Sequence, residues 1–206
     1  IDTSPLKTER FLQHRVRGTG FYLENLKKSL LKYYPENKYT FFTRGEKLPD
    51  NIDLVHYPYF EPFFLTLPFS SKYKSAVTVH DLTPFVFPKQ FPSGIRGKIK
   101  WFIQKAALGK VNAIITDSLS SKKDIVKYAS VSDEKVSVVY LAAGDEFKKI
   151  QSSSIQQAQD KLQSLREKYN LPEKFVLYVG DVTWNKNLPR LIEAVGNIKI
   201  PLVADI

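Results

Sequence analysis

A chain of 206 residues holds one full domain and part of another, and 43% hydrophobic with 25% charged residues is ordinary for a globular protein. No apolar run approaches the roughly 20 residues needed to cross a bilayer, and the absence of cysteine excludes disulfides and thiolate metal sites. The net charge of +10, from 31 Lys and Arg against 21 Asp and Glu, favours polyanions, anionic lipid surfaces or phosphorylated small molecules without choosing among them.

The chain opens on Ile1, contains no methionine and shows no basic-then-apolar signal pattern, so it reads as a fragment of a longer product. Arg17-Gly18-Thr19-Gly20 stands immediately before a helix predicted over 21–34, whose Tyr22, Leu23, Leu26, Leu30 and Tyr33 recur at three and four. Strands are predicted over 38–43, 52–57, 76–79, 112–116 and 135–141 from their β-branched and apolar content. A basic amphipathic helix is predicted within 89–110. A further helix begins at Ser121, with Asp124 at the position of a capping box. Helices between short apolar strands predict an α/β fold, a mostly parallel sheet covered on both faces. The predicted first unit is a Rossmann-like domain over 1–148.

Residues 149–170 are polar, a Ser-rich joint followed by a helix over 158–169. A strand over 175–180, a helix over 188–198 and a strand from Ile200 then begin a second Rossmann-like domain over 171–206, incomplete and too small to bury a core alone.

The run Ala76-Val77-Thr78-Val79-His80-Asp81-Leu82-Thr83-Pro84 carries the most chemistry. It is a buried strand that stops in a histidine and an aspartate, because Pro84 cannot continue a ladder. The carboxyl end of a parallel strand is where α/β sheets bind ligands. The plainer reading is a loop histidine satisfied by backbone. Gly18 and Gly20 before a helix suit close backbone approach to a phosphate and free N–H donors, although a tight turn needs the same residues. Lys186, in Gly180-Asp181-Val182-Thr183-Trp184-Asn185-Lys186-Asn187, stands where a helix start and a point charge together hold a diphosphate; a solvated surface lysine is the alternative. Asp117-Ser118, with Ser120 and Ser121, lies between a strand and a helix, and capping accounts for these residues.

The histidines, His14, His56 and His80, have no metal-binding spacing, and no G-x-S-x-G elbow is present. His56 reads as structural or cleft-lining. Between 89 and 110 the chain carries Lys89, Arg96, Lys98, Lys100, Lys105 and Lys110 and no acid, with Ile95, Ile99, Phe102, Ile103 and Ala106 along one face and Trp101 at its edge. Such a helix either lies on an anionic membrane or packs its apolar face on the sheet.

In this order, the pieces resemble a family 4 glycosyltransferase of the GT-B fold. The resemblance rests on Ile1-Asp2-Thr3-Ser4-Pro5-Leu6, Arg17-Gly18-Thr19-Gly20-Phe21-Tyr22, Val79-His80-Asp81-Leu82-Thr83-Pro84 with Phe87-Pro88, Ile114-Ile115-Thr116-Asp117-Ser118, the run 136–143, and Tyr178-Val179-Gly180 with Lys186-Asn187. It spans nearly the whole chain. It implies two Rossmann-like domains, the first on the acceptor side and the second binding a nucleotide-diphosphate sugar. The implied reaction retains anomeric configuration and uses no metal or other cofactor. His80 would be the catalytic residue at the donor sugar. Gly18, Thr19 and Gly20 would lie nearest the donor phosphates, and Gly180 and Lys186 would hold the leaving diphosphate. Asp81 and Ser118 would line the cleft or the acceptor site. Asp181 and Asn185 stand where many members carry an arginine, and the family's paired glutamates do not occur before Ile206, so a fragment ending there is expected to be inactive.

The expected function is hexose transfer, by analogy mannose transfer in polysaccharide biosynthesis, from a UDP- or GDP-sugar to a glycan or lipid-diphosphate-linked acceptor. The expected place is the cytoplasm, peripheral on the inner membrane face through 89–110, with no nucleic-acid partner. Two alternatives stand beside it. One is a non-catalytic Rossmann-like module whose basic helix binds nucleic acid or anionic membrane; the other is a GT-B-fold nucleotide-sugar epimerase.

Overall fold

The computed structural model describes residues 1–6, 13–144, 147 and 155–205. These fall into two compact units, Ile1–Ala142 and Ala143–Ile206. The predicted boundary at 148 and the Ser-rich joint at 150–154 lie outside the described residues.

The first unit is built on a four-stranded sheet, β1 (Leu54–Tyr57), β2 (Lys74–Thr78), β3 (Ala113–Thr116) and β4 (Val136–Val138), in the order β1-β2-β3-β4 with every pair parallel. Its helices are α1 (Gln13–Tyr33), the single turn α2 (Thr83–Val86), α3 (Gly94–Lys110) and α4 (Leu119–Ala129). Four consecutive residues of β2, Ser75, Ala76, Val77 and Thr78, are buried. Successive strand side chains point to opposite faces, so both faces of β2 are covered. Val55, Val77, Ile114 and Val136 from the strands pack with Ala107 and Leu108 of α3 and Ile125 and Ala129 of α4. This is the parallel α/β architecture expected of a Rossmann-like domain.

Four local expectations are corrected. The segment 38–43 forms no strand; its one ladder contact is a parallel bridge from Asp2 to Phe42. Helix α1 begins at Gln13, so Gly18, Thr19 and Gly20 lie inside it rather than in a loop before it. At that depth an α-helix engages each N–H with the carbonyl four residues back, and the free donors expected of a helix start are gone. Helix α4 begins at Leu119, and its cap is Ser118, whose Oγ accepts from the Ser121 N–H at 3.0 Å and donates to the Ser121 hydroxyl. Finally, the face of α3 that packs on the core is not the Ile95-Ile99-Phe102 face; it carries Gly97, Gln104, Ala107 and Leu108, with Trp101 half-buried against the same core.

Gln104 shows why that face won. Its fully buried amide accepts at Oε1 from the Thr66 and Leu67 N–H groups, at 3.0 and 2.8 Å, and from the Thr66 hydroxyl, and Nε2 donates to the Leu67 carbonyl at 2.8 Å. A buried loop must pair its backbone polar groups, and one side chain pairs three of them here.

The second unit contains α5 (Ile155–Tyr169), α6 (Leu188–Ile198) and two parallel strands, β5 (Val176–Val179) and β6 (Leu202–Asp205). Among its described residues Val195 is the only buried hydrophobic one, while Leu177, Val179 and Ile192 are exposed.

Gln104→Leu keeps the volume and removes the pairing. It is expected to lower the unfolding free energy by about 2 kcal/mol, since it strands the buried Leu67 N–H and carbonyl while the Thr66 N–H keeps the Phe64 carbonyl, as read from a denaturant titration at unchanged m-value.

Candidate functional site

The buried His80 Nε2, unpartnered among the described residues, and the perturbed Tyr22 and His56 lie together at the carboxyl end of the four-stranded sheet. β2 and β3 pair with an offset of 37, Ala76 opposite Ala113 and Thr78 opposite Ile115, and the Val79 N–H extends the ladder to the Ile115 carbonyl at 2.9 Å. Two residues further on, the same offset sets His80 opposite Asp117. Their side chains meet, Nδ1 to Oδ2 at 2.6 Å. The ring and the carboxylate keep 23% and 19% of their surface exposed, so the pair is neither in the core nor loose on the surface. An aspartate acceptor assigns the proton to Nδ1 and orients the imidazole. The Nε2 atom is buried and has no hydrogen-bond partner among the described residues. In the neutral ring, with Nδ1–H given to Asp117, it is a lone-pair acceptor.

Tyr22, from α1, stands edge-on to the imidazole at a centroid distance of 4.8 Å. Its hydroxyl lies 3.1 Å from Thr78 Oγ1, and His56 Nε2 from β1 lies 2.8 Å from the same oxygen. A threonine hydroxyl donates once and accepts twice, so proton donation running either way along Tyr22, Thr78 and His56 satisfies all three. Burial pushes the Tyr22 hydroxyl upward and His56 from its ordinary 6.5 down to about 4. His56 is therefore a neutral structural ring bonded to the floor of the site, as its sequence context predicted.

Of the expected cleft residues, neither turns its side chain on His80. Asp81 is exposed, and its Oδ1 accepts the Thr83 N–H at 2.8 Å, which opens the α2 turn. Ser118 is committed to capping α4. Asp117, which its place between strand and helix assigned to capping, is the residue that meets His80. The signal was present: a polar residue one position after an apolar strand, with another parallel strand ending in histidine. What was missing was the register.

In the second unit β5 runs into Gly180, whose φ of +154° and whose position suit glycine, since an added Cβ would lie 3.1 Å from the Tyr178 hydroxyl. That hydroxyl donates to the Asp181 carbonyl. The Asp181 carboxylate accepts from the Thr183 N–H and hydroxyl, so the loop is held from within. Lys186 is exposed, closes a 3₁₀ turn (Trp184–Lys186) and stands two residues before α6.

The sequence model for Glycosyltransferase Family 4 matches residues 4–143, which include every member of the His80 constellation. This chain belongs to Glycosyltransferase Family 4. Within the family's reach are two forms of the serotype-specific mannosyltransferase WbdA of Escherichia coli. They are 26% and 25% identical to it over 122 residues, 59% of this chain. The chain spans only 14% of the length of those relatives. For the family 4 chain, the matched segment contains the parallel sheet, the His80–Asp117 pair and the whole of α3.

His56 makes stability depend on acid. Between pH about 4 and 6.5 the unfolded chain binds a proton that the folded chain does not, so the contribution is present above 6.5 and is lost as pH falls through 4. Urea midpoints measured across that window are expected to rise with pH, and His56→Gln to remove most of the slope.

Proposed function

We propose that the protein transfers a hexose, mannose being the favoured one, from a nucleotide-diphosphate sugar to a glycan or lipid-linked acceptor with retention at the anomeric carbon. The observation that carries the reading is the oriented imidazole of His80 at the carboxyl end of a parallel sheet, in a chain of Glycosyltransferase Family 4. Mannose is favoured because the relatives it is similar to are mannosyltransferases by name.

In the proposed step, the bond from the anomeric carbon to the diphosphate oxygen breaks and a bond from that carbon to the acceptor oxygen forms. The nucleoside diphosphate leaves with the electron pair, and the acceptor hydroxyl passes its proton to a departing diphosphate oxygen. The sugar passes through an oxocarbenium-like state while negative charge grows on the leaving group. His80 Nε2, buried and without a partner among the described residues, takes a hydrogen bond from a hydroxyl of the donor sugar once a shift of the groups that cover it admits that hydroxyl. A neutral ring does this without repelling the cationic carbon. Asp117 acts through His80: it is a positioning residue that holds the ring and its tautomer. Within the second unit, the exposed Lys186 is the residue we assign to the charge of a diphosphate, a role that needs no metal on this reading. The helical placement of Gly18, Thr19 and Gly20 leaves them a narrower part. Nothing lies within 4 Å of where a Gly18 Cβ would stand, and we assign them a bare patch of α1 surface near the donor rather than a set of free N–H donors.

The test is donor consumption by the complete protein with UDP-, GDP- and ADP-sugars, with and without acceptor. Product stereochemistry is read from the anomeric proton coupling. One nucleotide hexose is expected to be turned over only when acceptor is present. His80→Ala should lower kcat roughly 10²–10³-fold. Asp117→Asn, which frees the tautomer, should lower it about 10- to 100-fold with a shifted pH profile. Equal slow consumption of every donor by the parent and His80→Ala would remove His80 from the chemistry, and an isomerised sugar formed without acceptor would favour an epimerase.

A further inference from the structure

Helix α3 presents its more apolar side to water. The core holds Gly97, Gln104, Ala107 and Leu108, and at 100° per residue the diametrically opposite face carries Ile95, Ile99, Phe102 and Ala106. Ile95, Ile99 and Phe102 are 79, 59 and 76% exposed. Single exposed hydrophobic residues are ordinary, but a continuous row along a helix marks a contact surface. Lys98 and Lys105 run along one side of the row and Arg96 and Lys100 along the other, and no acid occurs between 89 and 110. Lys105 donates to the Ser130 hydroxyl and Lys100 lies over the Phe64 ring, both neutral groups, so these charges stay uncompensated locally. The row continues into an apolar groove of about 530 Å³ at the start of α3, lined by Phe63, Phe85, Phe91 and Trp101 together with the exposed Ile95 and Lys98.

We propose that this face of α3 lies on an anionic lipid bilayer, with Ile95, Ile99 and Phe102 entering the boundary of the acyl region and the flanking cations meeting headgroup phosphates. The two halves of the pattern select this occupant together. Nucleic acid would place its phosphates against the apolar centre of the row and leave that centre unsatisfied. A second copy of the chain, docked through the same face, would set one basic rim against another. An anionic bilayer offers negative charge at its surface and hydrocarbon beneath it, in the order the helix face requires. Among the described residues no helix is long and apolar enough to cross a membrane, so the association is peripheral. It holds whichever sugar the protein transfers.

The test uses co-sedimentation with vesicles of phosphatidylcholine alone and of phosphatidylcholine mixed with phosphatidylglycerol. Binding is expected to the mixed vesicles, weakly or not at all to the neutral ones, and to decline as salt rises. The combined Ile95→Ser, Ile99→Ser and Phe102→Ser variant should lose about tenfold or more of that binding, with an unchanged unfolding midpoint because the three side chains are exposed. Lys98→Glu with Lys105→Glu should lose the preference for anionic lipid. Because the chain has no cysteine, Phe102→Cys accepts a single environment-sensitive fluorophore whose emission should brighten and shift to shorter wavelength on mixed vesicles. Equal binding to both vesicle types, full binding by the serine variant, or an unshifted fluorophore would overturn the proposal. So would binding confined to duplex DNA, or a dimer that the serine variant dissociates in the absence of vesicle binding.

Discussion

The parallel register of β2 against β3 is the constraint from which the candidate site follows. In a parallel pair, residues at one offset stay level for as long as the strands run, and both chains leave the sheet at the same edge. The offset of 37 therefore carries on past the last ladder bond and delivers His80 to Asp117 at 2.6 Å. A slip of one residue would turn every side chain of one strand to the other face and separate the pair. The register is itself secured by burial on both faces of β2, where Val77 and Thr78 are wholly covered.

Around that pair the structure spends polar groups sparingly. Thr78, fully buried, takes up both the Tyr22 hydroxyl and His56 Nε2, so two elements that flank the histidine are tied to the strand that carries it. Tyr22 then gives His80 an edge-on aromatic neighbour. The result is an imidazole fixed at one nitrogen and unpartnered at the other, in surroundings dry enough to depress His56 to about 4. A rigid ring with one acceptor left over is suited to reading a hydroxyl, because its orientation is settled before the ligand arrives. The same low-dielectric setting strengthens whatever hydrogen bond it makes.

The amphipathic character of α3 is plain in the pattern of residues, but its inside and outside are exchanged relative to hydrophobicity alone. The aromatic group of Phe63, Phe85, Trp101 and Tyr128, with neighbouring centroids 4.3 to 5.5 Å apart, anchors one side of the helix. Gln104 then satisfies the loop at 66–67, and no apolar side chain offers that loop a partner. Pairing the backbone outweighed covering three large hydrophobic side chains, and that choice is what leaves Ile95, Ile99 and Phe102 facing outward.

The sequence by itself determined the parallel α/β character, the cores of β1, β2, β3, β4 and β5, the span of α6 and the strand-end position of His80. These are local matters: β-branched runs, helical spacing and Pro84 act within a few residues. It was also enough to establish the resemblance to family 4 glycosyltransferases. Segment 38–43 was misread because β-propensity without an adjacent partner yields only the single bridge at Phe42. The early start of α1 was missed because glycine is tolerated inside a helix as well as before one. Tertiary structure alone decided that Asp117 rather than Asp81 attends His80, that Ser118 is a cap, and which side of α3 meets solvent. Each of these depends on register or on packing between residues tens of positions apart, and no local pattern encodes a distance across the sheet.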